Sequence, residues 1–248
     1  MTIMTTAQQL RDLRLLGMAE GLDHQMSQSA FLGASFEQRL QMLVDAEKSH
    51  RDTLRYKRIM RNARLKVLAM PEDIDYRPGR GIDKSTFADL LTCTWIDKQM
   101  NLLMTGPTGT GKTWLACALS VQAARKGITV AYRRVARLLE EMAIGHEDGS
   151  ITKLRGQIAK VQLLILDDFG LTALTNRGRA DLLELLDDRV GTYSTIMLGQ
   201  MPVKEWHGFI NDPALADALL DRLVHSSLKI SLKGESMRKL KSGGASAT

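Results

Sequence analysis

Residues Gly106-Pro107-Thr108-Gly109-Thr110-Gly111-Lys112-Thr113 place three glycines, a lysine and a hydroxyl in the spacing GxxxxGK[ST]. Glycines at those positions let the backbone curl so that successive N–H groups point inward at phosphate oxygens. A helix opening at the end of the loop adds partial positive charge behind them. In such a cradle Lys112 reaches the β- and γ-phosphates of a nucleoside triphosphate, and the Thr113 hydroxyl ligates Mg²⁺. Further along, "LLILDDFG" (163–170) runs four apolar residues straight into Asp167 and Asp168. A strand buried on both faces is apolar along its body, and its C-terminal end faces the ligand crevice of an open α/β sheet. There Asp167 is expected to hold Mg²⁺, through water, and Asp168 to act as the base that activates the attacking water. The plainer alternative is that both cap the turn made by Phe169-Gly170.

These residues need elements to hold them. "NLLMT" (101–105) is a strand candidate ahead of the loop, with a helix over Thr113–Lys126 behind it. "ITVAYR" (128–133), "LLIL" (163–166), "TIML" (195–198) and "LKISL" (228–232) supply four more strands, with helical stretches between them at 135–144, 150–161 and through 182–190. Asp212-Pro213 opens a further helix, with Asp as cap and Pro at the first helical position. Strands alternating with helices imply an α/β fold with a parallel five-stranded sheet.

Residues 1–67 read as an all-helical N-terminal domain. Ser35-Phe36-Glu37-Gln38 has the form of a capping box, and the helix it starts is expected to reach Val67, with Tyr56, Ile59, Met60, Ala63 and Val67 on one arc. Pro71, Pro78, Gly79 and Gly81 mark 68–98 as a linker. The nucleotide-binding module then spans 99–241, and the tail 242–248 is expected to be disordered.

The chain carries a formal net charge of +6, but residues 48–66 alone hold eight basic residues against one acid, a net +7. A second basic run holds Lys229, Lys233, Arg238, Lys239 and Lys241 against Glu235. The first run reads either as a solvated helix face or as a site for a polyanion. In the second reading Arg51, Arg55, Lys57, Arg58, Arg61 and Arg64 neutralise DNA phosphates without reading bases. Cys93 and Cys117 form no CxxC pair and are expected as reduced thiols of a cytoplasmic protein. No stretch approaches the roughly 20 apolar residues of a membrane span. The five histidines show no ligand spacing, so no metal beyond Mg²⁺ is expected. Trp206 and Phe209 read as packing residues, and Tyr132, Arg133 and Arg134 as the end of a strand facing a neighbour, DNA or solvent.

"LRLLGMAEGL", "GPTGTGKTWLACAL", "LLILDDFGL", "MPVKEW", "DALLDRLVH" and "KGESMR" together resemble the IstB-like transposition helper ATPases of IS21 insertion sequences, AAA+ proteins close to DnaC-type helicase loaders. The resemblance covers almost the whole chain. It implies an AAA+ ATPase that uses ATP and Mg²⁺, assembles as a homo-oligomer with shared ATP sites on duplex DNA, largely without regard to sequence, and engages a partner transposase in the bacterial cytoplasm, at the nucleoid. It implies a polar sensor at Gln200, an arginine finger at Arg222 presented to the neighbouring subunit, and a second sensor at Arg238. This chain has Asp167-Asp168 where Asp-Glu is common and Gln200 where Asn is usual, and it leaves no room for a C-terminal helical lid. The alternatives are a helicase loader and an ATP-gated scaffold that does not hydrolyse.

Overall fold

The protein is described by a computed structural model covering residues 3–31, 33–225, 227–234 and 236–237. It divides into two compact units, Met1–Arg58 and Ile59–Thr248. The first holds α1 (Ile3–Asp12), α2 (Leu16–Ser27) and most of α3 (Phe36–Ala63). The capping box forms as expected: the Gln38 N–H donates to Ser35 Oγ at 3.2 Å, and the Ser35 N–H donates to Gln38 Oε1 at 3.0 Å. Gly17 lets α2 close on α3, since a Cβ there would lie 2.5 Å from the Ala46 carbonyl oxygen. The buried Glu47 of α3 accepts the Met18 N–H at 3.2 Å, satisfying an orphan donor at the start of α2.

Helix α3 stops at Ala63, not Val67. Arg64 takes a left-handed φ of 51°, which ends the helix, and Val67 is left 39% exposed instead of on the buried arc.

In the second unit, most of the stretch read as a linker, 68–98, is built into the fold. A 3-10 turn (Pro71–Asp73) is followed by α4 (Lys84–Leu91) and α5 (Thr94–Asp97). Phe87, Leu90, Trp95 and Ile96 are buried there. The Pro and Gly residues mark only the turns before α4. Asp83 caps α4 by accepting the Thr86 N–H at 2.8 Å.

The alternation then follows: β1 (Asn101–Thr105), α6 (Lys112–Arg125), β2 (Val130–Arg134), α7 (Val135–Asp148), α8 (Ile151–Ala159), β3 (Leu163–Phe169), α9 (Asn176–Asp187), β4 (Ser194–Gly199), α10 (Trp206–Ile210), α11 (Pro213–Val224) and β5 (Ser227–Ser231). All pairings are parallel, in the order β2-β3-β4-β1-β5. The centre of the sheet is apolar on both faces, as a covered parallel sheet requires. Leu103, Leu164, Leu166 and Met197 pack with Leu138, Leu182, Leu185 and Leu219 of α7, α9 and α11. Helix α6 packs on β2, β3 and β4, with α4 against it. The parallel order brings the C-terminal ends of β1, β2, β3 and β4 to one edge. The expectations about a lid, a disordered tail and Arg238 fall on residues outside those described.

Candidate functional site: a nucleotide cradle with a divided acid end

At that edge β1 delivers the glycine loop. Thr105 is in register with Gly199 on one side and Ser231 on the other. Gly106 has φ 144°, and a Cβ there would lie 2.4 Å from the Leu232 carbonyl oxygen. Gly109 has φ 86° and lies against Ser236, while the Met237 N–H donates to its carbonyl at 2.9 Å. The loop is therefore backed by the chain that follows β5. Lys112 opens α6, and its Nζ donates to the carbonyls of Gly106 at 2.6 Å and Pro107 at 2.9 Å. Burial holds its ammonium below the ordinary lysine value, while Asp167 and Asp168 oppose that shift.

Strand β3 delivers the acid end. Asp167 is buried, and its Oδ2 accepts the Thr113 hydroxyl at 2.8 Å and the Tyr132 hydroxyl at 2.6 Å. Its Oδ1 accepts the Asp168 N–H at 2.8 Å. The β3–β4 register shifts between Leu166 and Phe169, and Asp168 has φ 64°. A bulge of this kind re-aims a side chain, and a left-handed aspartate is a sparsely populated state held by its surroundings. The two carboxylates are thus separated: Asp167 turns into the protein, and Asp168 pairs with Arg134 Nε at 3.3 Å. A hydroxyl and a carboxylate converging at a helix N-terminus form an oxygen donor set suited to Mg²⁺, and Thr113 with Asp167 fits it.

A cavity of about 670 Å³ lies over these residues. Thr108, Gly109, Gly111, Lys112, Thr113, Asp167, Asp168 and Gln200 all line it. Lys66 and Arg80, which no motif singles out, line it too. Lys66 brings its Nζ to 4.0 Å from Asp167 Oδ2. Arg80, mostly buried, donates to the Thr110 carbonyl at 3.1 Å and to the Asp75 carbonyl. Burial pushes the Arg80 guanidinium down, and Asp75 pushes it back up. Tyr132 is a positioning residue for Asp167, and burial first, then Asp167, raises its hydroxyl far above the ordinary tyrosine value. No local motif signals these contacts: Tyr132 and Arg134 reach the two aspartates because β2 pairs with β3, Arg134 opposite Asp167, and Lys66 and Arg80 line the cavity because 64–81 runs beside the loop helix.

Arg222 is not at this cavity. Its carbonyl accepts from Asn101 Nδ2 at 3.1 Å, at the first residue of β1, four strand residues or about 13 Å from the loop end. Its Nε pairs with Asp187 Oδ1 at 2.6 Å. Arg51, Arg55, Lys57, Arg58, Arg61 and Arg64 are all exposed. Trp206 is fully buried, with Phe169 at 4.7 Å, and Phe209 packs on Phe169 at 5.4 Å, so both are packing residues. Among the described residues no group of three or more His, Cys, Asp or Glu could hold a metal ion, and no helix is long and apolar enough to cross a membrane.

A family model described as "IstB-like ATP binding protein" matches residues 8–245. A Sinorhizobium fredii protein named for ATP binding in an insertion sequence is 43% identical over 94% of this chain and 96% of its own length. The corresponding protein of insertion sequence IS1162 from Pseudomonas fluorescens is 48% identical over 79% of this chain and 86% of its own. Among solved structures, the DnaC helicase loader superposes with a TM-score of 0.53 at 18% identity, covering 60% of this chain and 87% of that one.

Proposed function

The chain belongs to the IstB-like ATP-binding protein family, with the α/β P-loop, AAA+-like fold, and on that footing we propose that it hydrolyses MgATP to control its assembly on duplex DNA and its engagement of a partner transposase. The observation that carries the reading is the meeting of Thr113 and Asp167 at 2.8 Å beside the glycine loop, with Asp168 turned away on a bulge. In the proposed mechanism the loop N–H groups and Lys112 bind and orient the triphosphate. Thr113 and Asp167 would hold Mg²⁺, which would supply neutralisation of phosphate charge when bound. Asp168 takes a proton from the attacking water once Arg134 releases it. Gln200, at the end of β4, helps place that water.

Arg222 lies at the far end of β1 from its own loop, which supports a role toward a neighbouring copy. Such a finger is worth about 10³–10⁵ in rate in P-loop enzymes. Arg222→Ala is expected to bind a non-hydrolysable ATP analogue while losing most phosphate release and oligomer formation. Normal hydrolysis by that variant would make Arg222 a structural partner of Asp187. The DNA role rests on the net +7 of residues 48–66, and the transposase on the insertion sequences for which the relatives are named.

The direct test is phosphate release with and without duplex DNA, in wild type and Asp167→Ala. DNA-stimulated release that disappears in the variant is expected. No release under any condition would favour an ATP-gated scaffold. The likeness to the DnaC helicase loader, which concerns the fold, keeps a second reading in view: in that case single-stranded DNA would bind more tightly than duplex in the presence of ATP and Mg²⁺.

A further inference from the structure

Beyond the end of α3 the chain runs along the loop helix α6. The backbone N–H groups of Lys66 and Val67 face the buried Cys117 thiol on α6. Ala63 and Ala69, on either side, are buried. Farther on, Glu72 pairs with Arg125 at the other end of α6. The path of this strap is therefore fastened at several points, and the direction of Lys66 follows from it. Its Nζ lies 4.0 Å from Asp167 Oδ2, the same oxygen that accepts from Thr113 and Tyr132, and its side chain is 31% exposed. Five residues upstream Arg61 is exposed, and Arg64, also exposed, makes the left-handed turn that starts the strap. Residues 61–67 thus carry two exposed cations of the basic run at one end and a cation of the nucleotide cavity at the other.

We propose that Lys66 couples the nucleotide site to DNA binding, by joining Asp167 and the incoming phosphates to the turn that presents Arg61 and Arg64. The inference rests on the functional reading above. Negative charge entering beside Lys112 draws on the same ammonium that faces Asp167. Fixing that ammonium fixes Lys66 and Val67 against Cys117, and with them the turn at Arg64. A preformed turn binds DNA phosphates with less ordering cost. Coupling between two binding events is reciprocal, so DNA must tighten nucleotide by the factor that nucleotide tightens DNA. An ordinary half-exposed ion pair, by contrast, would change neither factor.

The experiment is a binding square on the full chain. The affinity of a fluorescent, non-hydrolysable ATP analogue with Mg²⁺ is measured with and without a short mixed-sequence duplex. The affinity for labelled duplex is measured with and without the analogue. Wild type is expected to show one coupling factor in both directions, about 5-fold or more. Lys66→Met and Lys66→Gln are expected to bring that factor to about 1, while Lys66→Arg, which keeps the charge, retains it. A thermal melt of each variant establishes that it is folded, so that loss of coupling is read on intact protein. Full coupling in both neutral variants overturns the proposal, as does wild type that binds both ligands without coupling. Wild type that binds no analogue, or no duplex, overturns the functional reading itself and this inference with it.

Discussion

Asp167 is 2% exposed, and its carboxylate meets two hydroxyls, a backbone N–H and a lysine. A buried carboxylate so surrounded is fixed in direction before any ligand arrives, which is what a Mg²⁺ site requires of its protein oxygen. Tyr132 supplies the shorter of the two hydroxyl bonds and cannot be a ligand of the same ion itself without giving it up. Partners that orient a ligating group are worth about 10- to 100-fold in metal affinity or activity. Tyr132→Phe is therefore expected to raise the Mg²⁺ concentration for half-maximal phosphate release by about tenfold. A Mg²⁺ titration of that variant indistinguishable from wild type would mean the hydroxyl is only a packing group. Arg189 shows the opposite use of a polar residue. It is 1% exposed and donates to Thr195 Oγ1 and to the carbonyls of Ile158, Val161 and Ser194, closing the end of α8 onto the start of β4. Burial pushes its guanidinium down to about 10. Arg189→Met removes these buried charge-assisted hydrogen bonds and is expected to lower stability by about 3 kcal/mol, read by denaturant unfolding.

At the scale of elements, helix starts were legible because their signals are local. Ser35 and Asp212 act as caps where the sequence places them, and β1 falls where its apolar run does. The end of α3 was not legible, because Val67 continues the arc of Tyr56, Ile59, Met60 and Ala63 across the left-handed turn at Arg64. Nor was α4, hidden behind Pro78, Gly79 and Gly81, although Phe87 and Leu90 carry its buried face. Its cap allows a pH test. The Ser85 hydroxyl and then the Thr86 N–H hold the Asp83 carboxyl down at about 2, from an ordinary value of 3.8. A lowered folded value contributes stability that is complete above 3.8 and disappears as pH falls through about 2. Asp83→Ala is expected to melt below wild type at neutral pH, with the gap closing as pH approaches 2. A gap that stays constant over that range would contradict the assignment of the cap.

In the whole molecule, the site is assembled by the sheet. The loop and the two aspartates are contiguous motifs and can be read as strings. Tyr132 and Arg134 come from another element and reach the two aspartates through the β2–β3 register, while Lys66 and Arg80 reach the cavity through the path of 64–81 along α6. Arg222 is the converse case: it sits at the far end of β1, paired with Asp187, and the proposed finger role would need a second copy to complete the site. One chain then offers a nucleotide cradle at one end of its sheet and the Arg222–Asp187 ion pair at the other, with the proposed phosphate contacts assigned to the basic run. The central claim is that nucleotide governs assembly on duplex DNA. The most direct measurement is sedimentation of the full chain with labelled duplex, with and without a non-hydrolysable ATP analogue and Mg²⁺. The account predicts multi-subunit complexes on the duplex only when the analogue and Mg²⁺ are present, lost again in Asp167→Ala. The same complexes with and without nucleotide would contradict it.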